Sequence, residues 1–173
     1  MPNPTVGLFG IGLDTYWPQF PGLKERLTEY QTETRALLEK AGATVIDAEL
    51  VDSVQKARAA ARLFREKTVS IVFLHITTYA LSQTVLPIAQ GIGVPIIIIN
   101  MQPAKNIDYS WFNSLGDRAL MTAEWLANCQ SCCVPEIANV FNRNNIPYHI
   151  VTGFRGEEFI EHELTGWIKA TRV

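Results

Sequence analysis

The stretch VSIVFLHITTYALSQTVLPIAQGIGVPIIIINMQP, residues Val69 to Pro103, holds two apolar runs, Val69–Leu74 and Val94–Ile99. Both are rich in β-branched residues and lack polar alternation. Strands of this kind are buried on both faces, as in a parallel sheet covered by helices. Each run stops abruptly in polar residues: His75, Thr77, Thr78 and Tyr79 after the first, Asn100 and Gln102 after the second. Open α/β sheets bind ligands just outside the carboxyl ends of their strands. The polar groups therefore fall where a small polar molecule would be held.

Working outward, the sequence alternates strand and helix five times. Strand one is read at Thr5–Phe9, strand two at Thr44–Ala48, strand three at Val69–Leu74, strand four at Pro95–Ile99 and strand five at Tyr148–Val151. The first helix spans Leu23–Lys40, with Leu23, Leu27, Tyr30, Leu37, Leu38 and Ala41 on one face and Gly42 as its stop. Ser53 caps a second helix that carries Val54, Ala57, Ala61 and Phe64 on one stripe. A third carries Leu81, Val85, Ile88 and Ile92. After a long loop, Met101–Gly116, the region Asp117–Asn142 is helical, and Pro135 breaks it near Cys133–Val134. A last helix, Glu157–Ala170, lines up Ile160, Leu164, Trp167 and Ile168. Right-handed crossovers turn this pattern into a three-layer α/β/α sandwich, a flavodoxin-like parallel sheet of about five strands. The expected order, 2-1-3-4-5, rests on the element count at the level of the fold. The whole chain, 1–173, reads as a single domain.

The composition narrows the partners. A domain of 173 residues buries about 70% of its unfolded surface and needs no disulfide or structural metal to fold. Net charge is −2 with no basic face, which argues against nucleic acid. No apolar run approaches the ~20 residues that span a bilayer. The opening MPNPTVGLFG has no basic region and enters a strand at once, unlike a signal peptide. Cysteines 129, 132 and 133 form no disulfide framework and read as small, buried, reduced thiols of a cytoplasmic protein.

Several motifs carry possible chemistry. Gly10 and Gly12 begin a dinucleotide fingerprint, and Asp47 stands where a ribose-binding acid would be. The match then fails: no third glycine follows, Asp14 would repel a pyrophosphate, and Thr15-Tyr16-Trp17-Pro18 replaces the expected helix start. The loop Asp14–Phe20 mixes aromatics with polar groups and suits stacking on a sugar, with the glycines giving the backbone a tight turn beside it. His75 ends a buried strand and reads as a satisfied core residue. Asn100, Gln102 and Gln130 can hydrogen-bond hydroxyls but have no acid–base range. Met121–Asn128 precede the C-x-x-C of Cys129–Cys132 as helix, so the pair lies mid-helix or at its end, whereas a redox pair usually sits at a helix start. His75, His149 and His162 should not converge, so neither a catalytic residue nor a metal site is assigned.

With these pieces placed, the chain resembles the N-terminal domain of the L-arabinose isomerase and L-fucose isomerase superfamily, on the arabinose isomerase side. The resembling segments are Leu74-His75-Ile76-Thr77, Asn100-Met101-Gln102, Asp108–Gln130 and His149–Phe154, and the likeness runs from Val6 to about Trp167. The resemblance implies part of an aldose–ketose isomerase that binds a divalent metal, commonly manganese, through domains absent from this chain. No cofactor is implied within the chain itself. The end at Thr171-Arg172-Val173 falls about where the family passes into its second domain. This domain would then contact the sugar substrate and pack against other subunits as a homo-oligomer, without being catalytic alone. The substrate contacts implied are Asp14, Tyr16, Thr77, Gln130 and Cys133. Gln130 matches a family glutamine beside the sugar. Asp14 replaces a frequent glutamine, Thr77 a frequent aromatic and Cys133 a usual histidine, and these departures point to a sugar other than L-arabinose. Two other readings compete: a stand-alone flavodoxin-like domain for a small ligand or for assembly, and a nucleotide or flavin binder using Gly10 and Gly12.

Overall fold

The computed structural model describes residues 3–171. Met1, Pro2 and the closing Arg172 and Val173, where the resemblance puts the passage into a second domain, lie outside the described residues. Five parallel strands form one sheet: β1 (Thr5–Ile11), β2 (Thr44–Val51), β3 (Val72–His75), β4 (Ile96–Gln102) and β5 (Tyr148–Phe154). Their order is β2-β1-β3-β4-β5, the doubly wound, flavodoxin-like arrangement. The two apolar runs form the middle of the sheet. All four residues of β3 and the first six of β4 are buried, whereas the edge strands β2 and β5 are partly exposed.

Helices α1 (Leu23–Lys40), α2 (Val54–Glu66), α3 (Leu86–Ile92), α4 (Tyr109–Ser114), α5 (Arg118–Ala127), α6 (Val134–Arg143) and α7 (Glu158–Ala170) surround the sheet. On one face, Leu38 of α1 and Ile160, Leu164 and Ile168 of α7 pack on Val6, Leu8, Phe73, Ile97 and Ile99. On the other, Phe64 of α2, Ile88 of α3 and Ile137 and Phe141 of α6 pack on Phe9, Val72, Leu74, Ile96 and Ile98. Alternate residues of β3 and β4 thus feed opposite cores, which is why neither run shows polar alternation.

The local signals act where the sequence places them. Ser53 Oγ accepts from Lys56 N at 3.4 Å and starts α2. Gly42 takes a left-handed φ of 90° after α1. The helical region Asp117–Asn142 is broken between Ala127 and Val134, where α6 starts, and Pro135 occupies the first turn of α6, where a missing N–H costs nothing.

Three features depart from the expectations. The ladder of strand three begins at Val72, because Thr68 turns left-handed (φ 51°) and Val69 N caps α2 through Phe64 O at 3.2 Å. Strands four and five run on to Gln102 and Phe154, in register to the end, and project beyond His75 of β3. The loop expected at Met101–Gly116 contains α4, capped by Asp108 through Trp111 N at 2.9 Å. With α5, capped by Asp117 through Leu120 N at 2.8 Å, it forms a helical insertion over the carboxyl edge.

The cysteines require a correction. Cys129 and Cys132, read as reduced thiols, are joined by a disulfide with Cα atoms 5.4 Å apart; only Cys133 is free. The end of α5 at Ala127 and the 3-10 turn Gln130–Cys133 bend the backbone so that the two side chains meet. A disulfide-bonded pair is no mark of a reducing compartment. Among the described residues, no helix is long and apolar enough to cross a membrane.

Candidate functional site

At the carboxyl edge, the crevice where β1 and β3 part is filled by the protein itself. Leu23, Leu27 and Tyr30 of α1, Leu126 and Ala127 of α5, and Leu50 form an apolar cap, flanked by Tyr16, Trp17, Phe20 and Tyr79. The glycines of the first turn serve this cap. A Cβ on Gly12 would stand 2.8 Å from the Trp17 ring, and one on Gly10 would stand 2.7 Å from Leu50 and 2.8 Å from Gln31. They admit the chain's own side chains where the sequence suggested a ligand. Trp17 donates from Nε1 to Asp52 Oδ2 at 2.9 Å, and Lys56 Nζ reaches the same oxygen at 2.7 Å. Burial opposes the Asp52 charge, but these two hydrogen bonds hold its pKa below the ordinary carboxylate range.

The residues assigned by resemblance to the sugar sit largely under this cap. Thr77, Gln130 and Cys133 are all fully buried. Thr77 Oγ1 donates to Ile11 O. Gln130 Nε2 donates to Thr77 O at 2.9 Å and Ala127 O at 2.8 Å, bracketing the loop after β3 to the end of α5. Cys133 points its thiol at Thr78 O, 3.7 Å away, and burial pushes its pKa up to about 11. Tyr16 is partly buried beside them, its rings packed edge-on with Trp17 and Phe20, and burial raises its pKa. Asp14 alone is exposed, and its backbone N–H donates to Asp52 O at 3.3 Å. The structure thus gathers Thr77, Gln130, Cys133 and Tyr16 at one place but covers them.

Asp47 does not face a ribose site. One extra residue bulges β2 after it, with Glu49 at φ 59°, and Asp47 Oδ1 accepts from Glu49 N at 2.8 Å. It also accepts from Gln31 Nε2 at 2.9 Å, which fixes the Gln31 amide and aims Oε1 at His75 Nδ1, 3.1 Å away. His75 must therefore donate from Nδ1. The ring is buried, and this burial, followed by the charge of Arg155, lowers its pKa to about 3. It is the hydrogen-bonded core residue read from the sequence.

His149 Nε2 and His162 Nδ1 each lie near Glu163, at 3.9 and 4.0 Å, far in sequence and contacts from His75. Among the described residues, no three His, Cys, Asp or Glu side chains converge as metal ligands. The manganese implied for the full-length family enzyme has no fitting donor set in these residues.

The open space lies beside the cap. A cleft of about 610 Å³ runs between the start of α1, the loop after β4, α5 and the segment after β5. Arg26, Tyr30, Glu124, Asn128, Arg155 and Trp111 shape it. Arg26 forks onto Glu124, with Nη2 to Oε1 at 3.1 Å and Nη1 to Oε2, and its Nε donates to Tyr30 Oη at 2.7 Å. Burial works against the Arg26 charge, but the hydrogen bonds and charges of Glu124 and Tyr30 together outweigh it and raise its pKa. Arg155 stacks on the Tyr30 ring, with Cζ 4.6 Å from the ring centroid. Its Nε is 2.9 Å from Glu33 Oε2, a charge contact in which the N–H is not directed at the carboxylate. Asn128 Nδ2 donates to Glu124 Oε1 at 2.8 Å. Glu25 and Glu29 add negative charge at the rim.

Both guanidiniums are thus already neutralised by carboxylates, and the rim is acidic. The cleft disfavours phosphate-bearing molecules and offers a neutral ligand fixed planar donors and acceptors with one aromatic wall. Sequence reasoning missed Arg26, Glu124 and Arg155, which lie on three separate elements. The clue available was weak: Arg155 follows β5 directly, at the edge where ligands bind.

The fold and site define a flavodoxin-like parallel α/β domain with a polar cleft beside its carboxyl edge. No protein-family model matches the chain, and no curated protein matches it. Solved structures that it resembles include the Escherichia coli transcriptional repressor ascG, at 15% identity over 92% of this chain, with a TM-score of 0.34. The match covers 65% of that structure's chain, so this chain spans less than two thirds of its length. A likeness that distant carries no argument about function.

Proposed function

We propose that the chain is the N-terminal, substrate-binding and oligomerisation domain of a metal-dependent sugar isomerase, working in the cytoplasm and not catalytic by itself. The observation that carries the binding half is the cleft: paired arginines, carboxylates and an amide around Tyr30, with Trp111 at the wall, and no guanidinium left over for a phosphate. Such a surface suits a neutral polyol, whose hydroxyls donate and accept in equal measure. The resemblance, carried by soft motifs in correct order, supplies the reaction class. Of the contacts that the resemblance implies, none lines this cleft: Thr77, Gln130 and Cys133 would act by holding the cap that borders it, and Asp14 and Tyr16 belong to the first loop.

Calorimetric titration of the purified chain with neutral pentoses and hexoses, against their phosphates, tests the binding. Saturable binding of a neutral sugar, weakened at least tenfold by Asn128→Ala, is the expected result. Saturable binding of sugar phosphates or nucleotides with none of the neutral sugars would sink it.

A second reading, an assembly domain, draws on the insertion. Tyr109, Trp111, Leu120 and Trp125 are 66%, 49%, 57% and 51% exposed, an unusual apolar face for an isolated domain. Trp111 and Trp125 supply the indole rings of this face. Phe112 is half-covered, and Trp17 is held by Asp52 in the cap. Sedimentation velocity over a wide concentration range should show association that Trp125→Glu abolishes; a monomer throughout would remove this reading.

A further inference from the structure

The Cys129–Cys132 disulfide lies at a place suited to chemistry more than to stapling. It closes a loop of only two intervening residues, Gln130 and Ser131. The shortest loops gain least from cross-linking, because little chain entropy is removed from the unfolded state. A domain of this size, with cores on both faces of its sheet, does not depend on such a bond.

The two sulfurs stand in unequal surroundings. Cys129 is 2% exposed, whereas Cys132 is exposed. Cys133 is the N-cap of α6, a ten-residue helix, so Cys132 lies one residue before a helix N-terminus. The positive end of the helix dipole favours a thiolate there, against the opposing charge of Glu136 in the first turn. The sequence alone placed the pair mid-helix or at a helix end; the break ahead of α6 puts its second member before a helix start instead. The neighbouring Cys133 cannot intervene, since its thiol is covered. The enclosed residues are anchored independently of the bond. Gln130 holds Thr77 O and Ala127 O, and Ser131 Oγ donates to Asn100 Oδ1 at 3.1 Å and accepts from Gln102 Nε2 at 2.7 Å. Opening the disulfide leaves the turn in place, ready to close again.

We propose that Cys129–Cys132 is a reversible thiol–disulfide exchange site whose partner is a low-molecular-weight thiol of the glutathione type. An external thiolate attacks Sγ of the exposed Cys132. A sulfur–sulfur bond forms between them, the bond to Cys129 breaks, and Cys129 leaves as a thiolate that takes a proton from water. A second external thiolate attacks the small-molecule sulfur of the mixed disulfide and releases Cys132. The protein disulfide gains two electrons, and two external thiols become one external disulfide. In the reverse direction the Cys132 thiolate attacks the oxidised external disulfide, and Cys129 resolves the adduct.

The test uses the folded full chain. It is incubated in native buffer with millimolar reduced glutathione, then labelled with a polyethylene-glycol maleimide and counted by gel shift. Cys132 should label in the native protein, with Cys129 and Cys133 labelling only after denaturation, and oxidised glutathione should restore the unlabelled form. Far-ultraviolet circular dichroism should not change on reduction. A Cys129→Ser variant should trap glutathione as a stable adduct on Cys132, whereas Cys132→Ser should trap none. The wild-type labelling stands as a readout even where a variant folds poorly. A disulfide that opens only on denaturation would overturn the proposal. So would thiols that oxidised glutathione never joins, or a loss of helical signal on reduction.

Discussion

Lowering the pH from 7.5 to 5 should destabilise this domain by about 2 kcal/mol through His75 alone. The ring is fully enclosed, donates to Gln31 from Nδ1 and has no carboxylate beside it. Burial, then the Arg155 charge, lowers its folded pKa to about 3, against 6.5 for a free histidine. A lowered histidine pKa means that the unfolded chain binds a proton the folded chain refuses. The penalty is absent above pH 6.5 and grows by about 1.4 kcal/mol per pH unit below it, levelling off near pH 3. At pH 5 that amounts to about 1.5 units, or ~2 kcal/mol, a large part of an ordinary domain's stability. Asp47, at the far end of the same hydrogen-bond chain, works in the opposite sense, because burial raises its pKa. A comparison therefore isolates the histidine. Urea unfolding of wild type and His75→Asn should be followed from pH 7.5 to 4.5. The asparagine variant starts lower by about 1–3 kcal/mol, the cost of disturbing a buried hydrogen bond, but should fall less steeply below pH 6.5. In nuclear magnetic resonance, the His75 ring should show no titration between pH 8 and 5. Parallel slopes for the two proteins, or a His75 midpoint near 6.5, would refute the reasoning.

Three further outcomes follow from particular contacts. Gly12→Ala places a methyl group 2.8 Å from the Trp17 ring, so the indole must shift away from Asp52; a loss of about 1–3 kcal/mol in urea unfolding is expected, and a neutral result would show that the loop is not pinned there. Gln130→Ala leaves Thr77 O and Ala127 O without their buried donor and should cost about 1–3 kcal/mol, measurable as a lowered thermal midpoint, while an unchanged midpoint would favour a role in ligand contact alone. The chain supplied with manganese should not interconvert aldoses and ketoses, since moving hydrogen between C1 and C2 needs a polarising metal or an acid–base pair; chelator-sensitive turnover by the purified chain would contradict this.

The elements of this protein were legible in local patterns because each element buries its own face. The β-branched runs announced β3 and β4, the spacing of Leu23, Leu27, Tyr30 and Leu38 announced α1, and Ser53, Gly42 and Pro135 marked ends that the backbone respects. The sheet order was a fold-level expectation from the number of elements, and the structure has that order. Side-chain direction at the carboxyl edge did not follow. Thr77 and Gln130 looked like groups offered to a ligand. They are closed in because α5, inserted far along the chain, lays Leu126 and Ala127 over them. Gly10 and Gly12 signalled a close approach, but Leu50, Gln31 and Trp17 are what approaches. The cleft that remains open brings Arg26, Glu124 and Arg155 together from α1, α5 and the end of β5, and the disulfide pairs two cysteines across a helix break. Periodicity records which side of an element avoids water; it holds no information about which distant element supplies the cover. That choice is made by packing in three dimensions, and it decided the site.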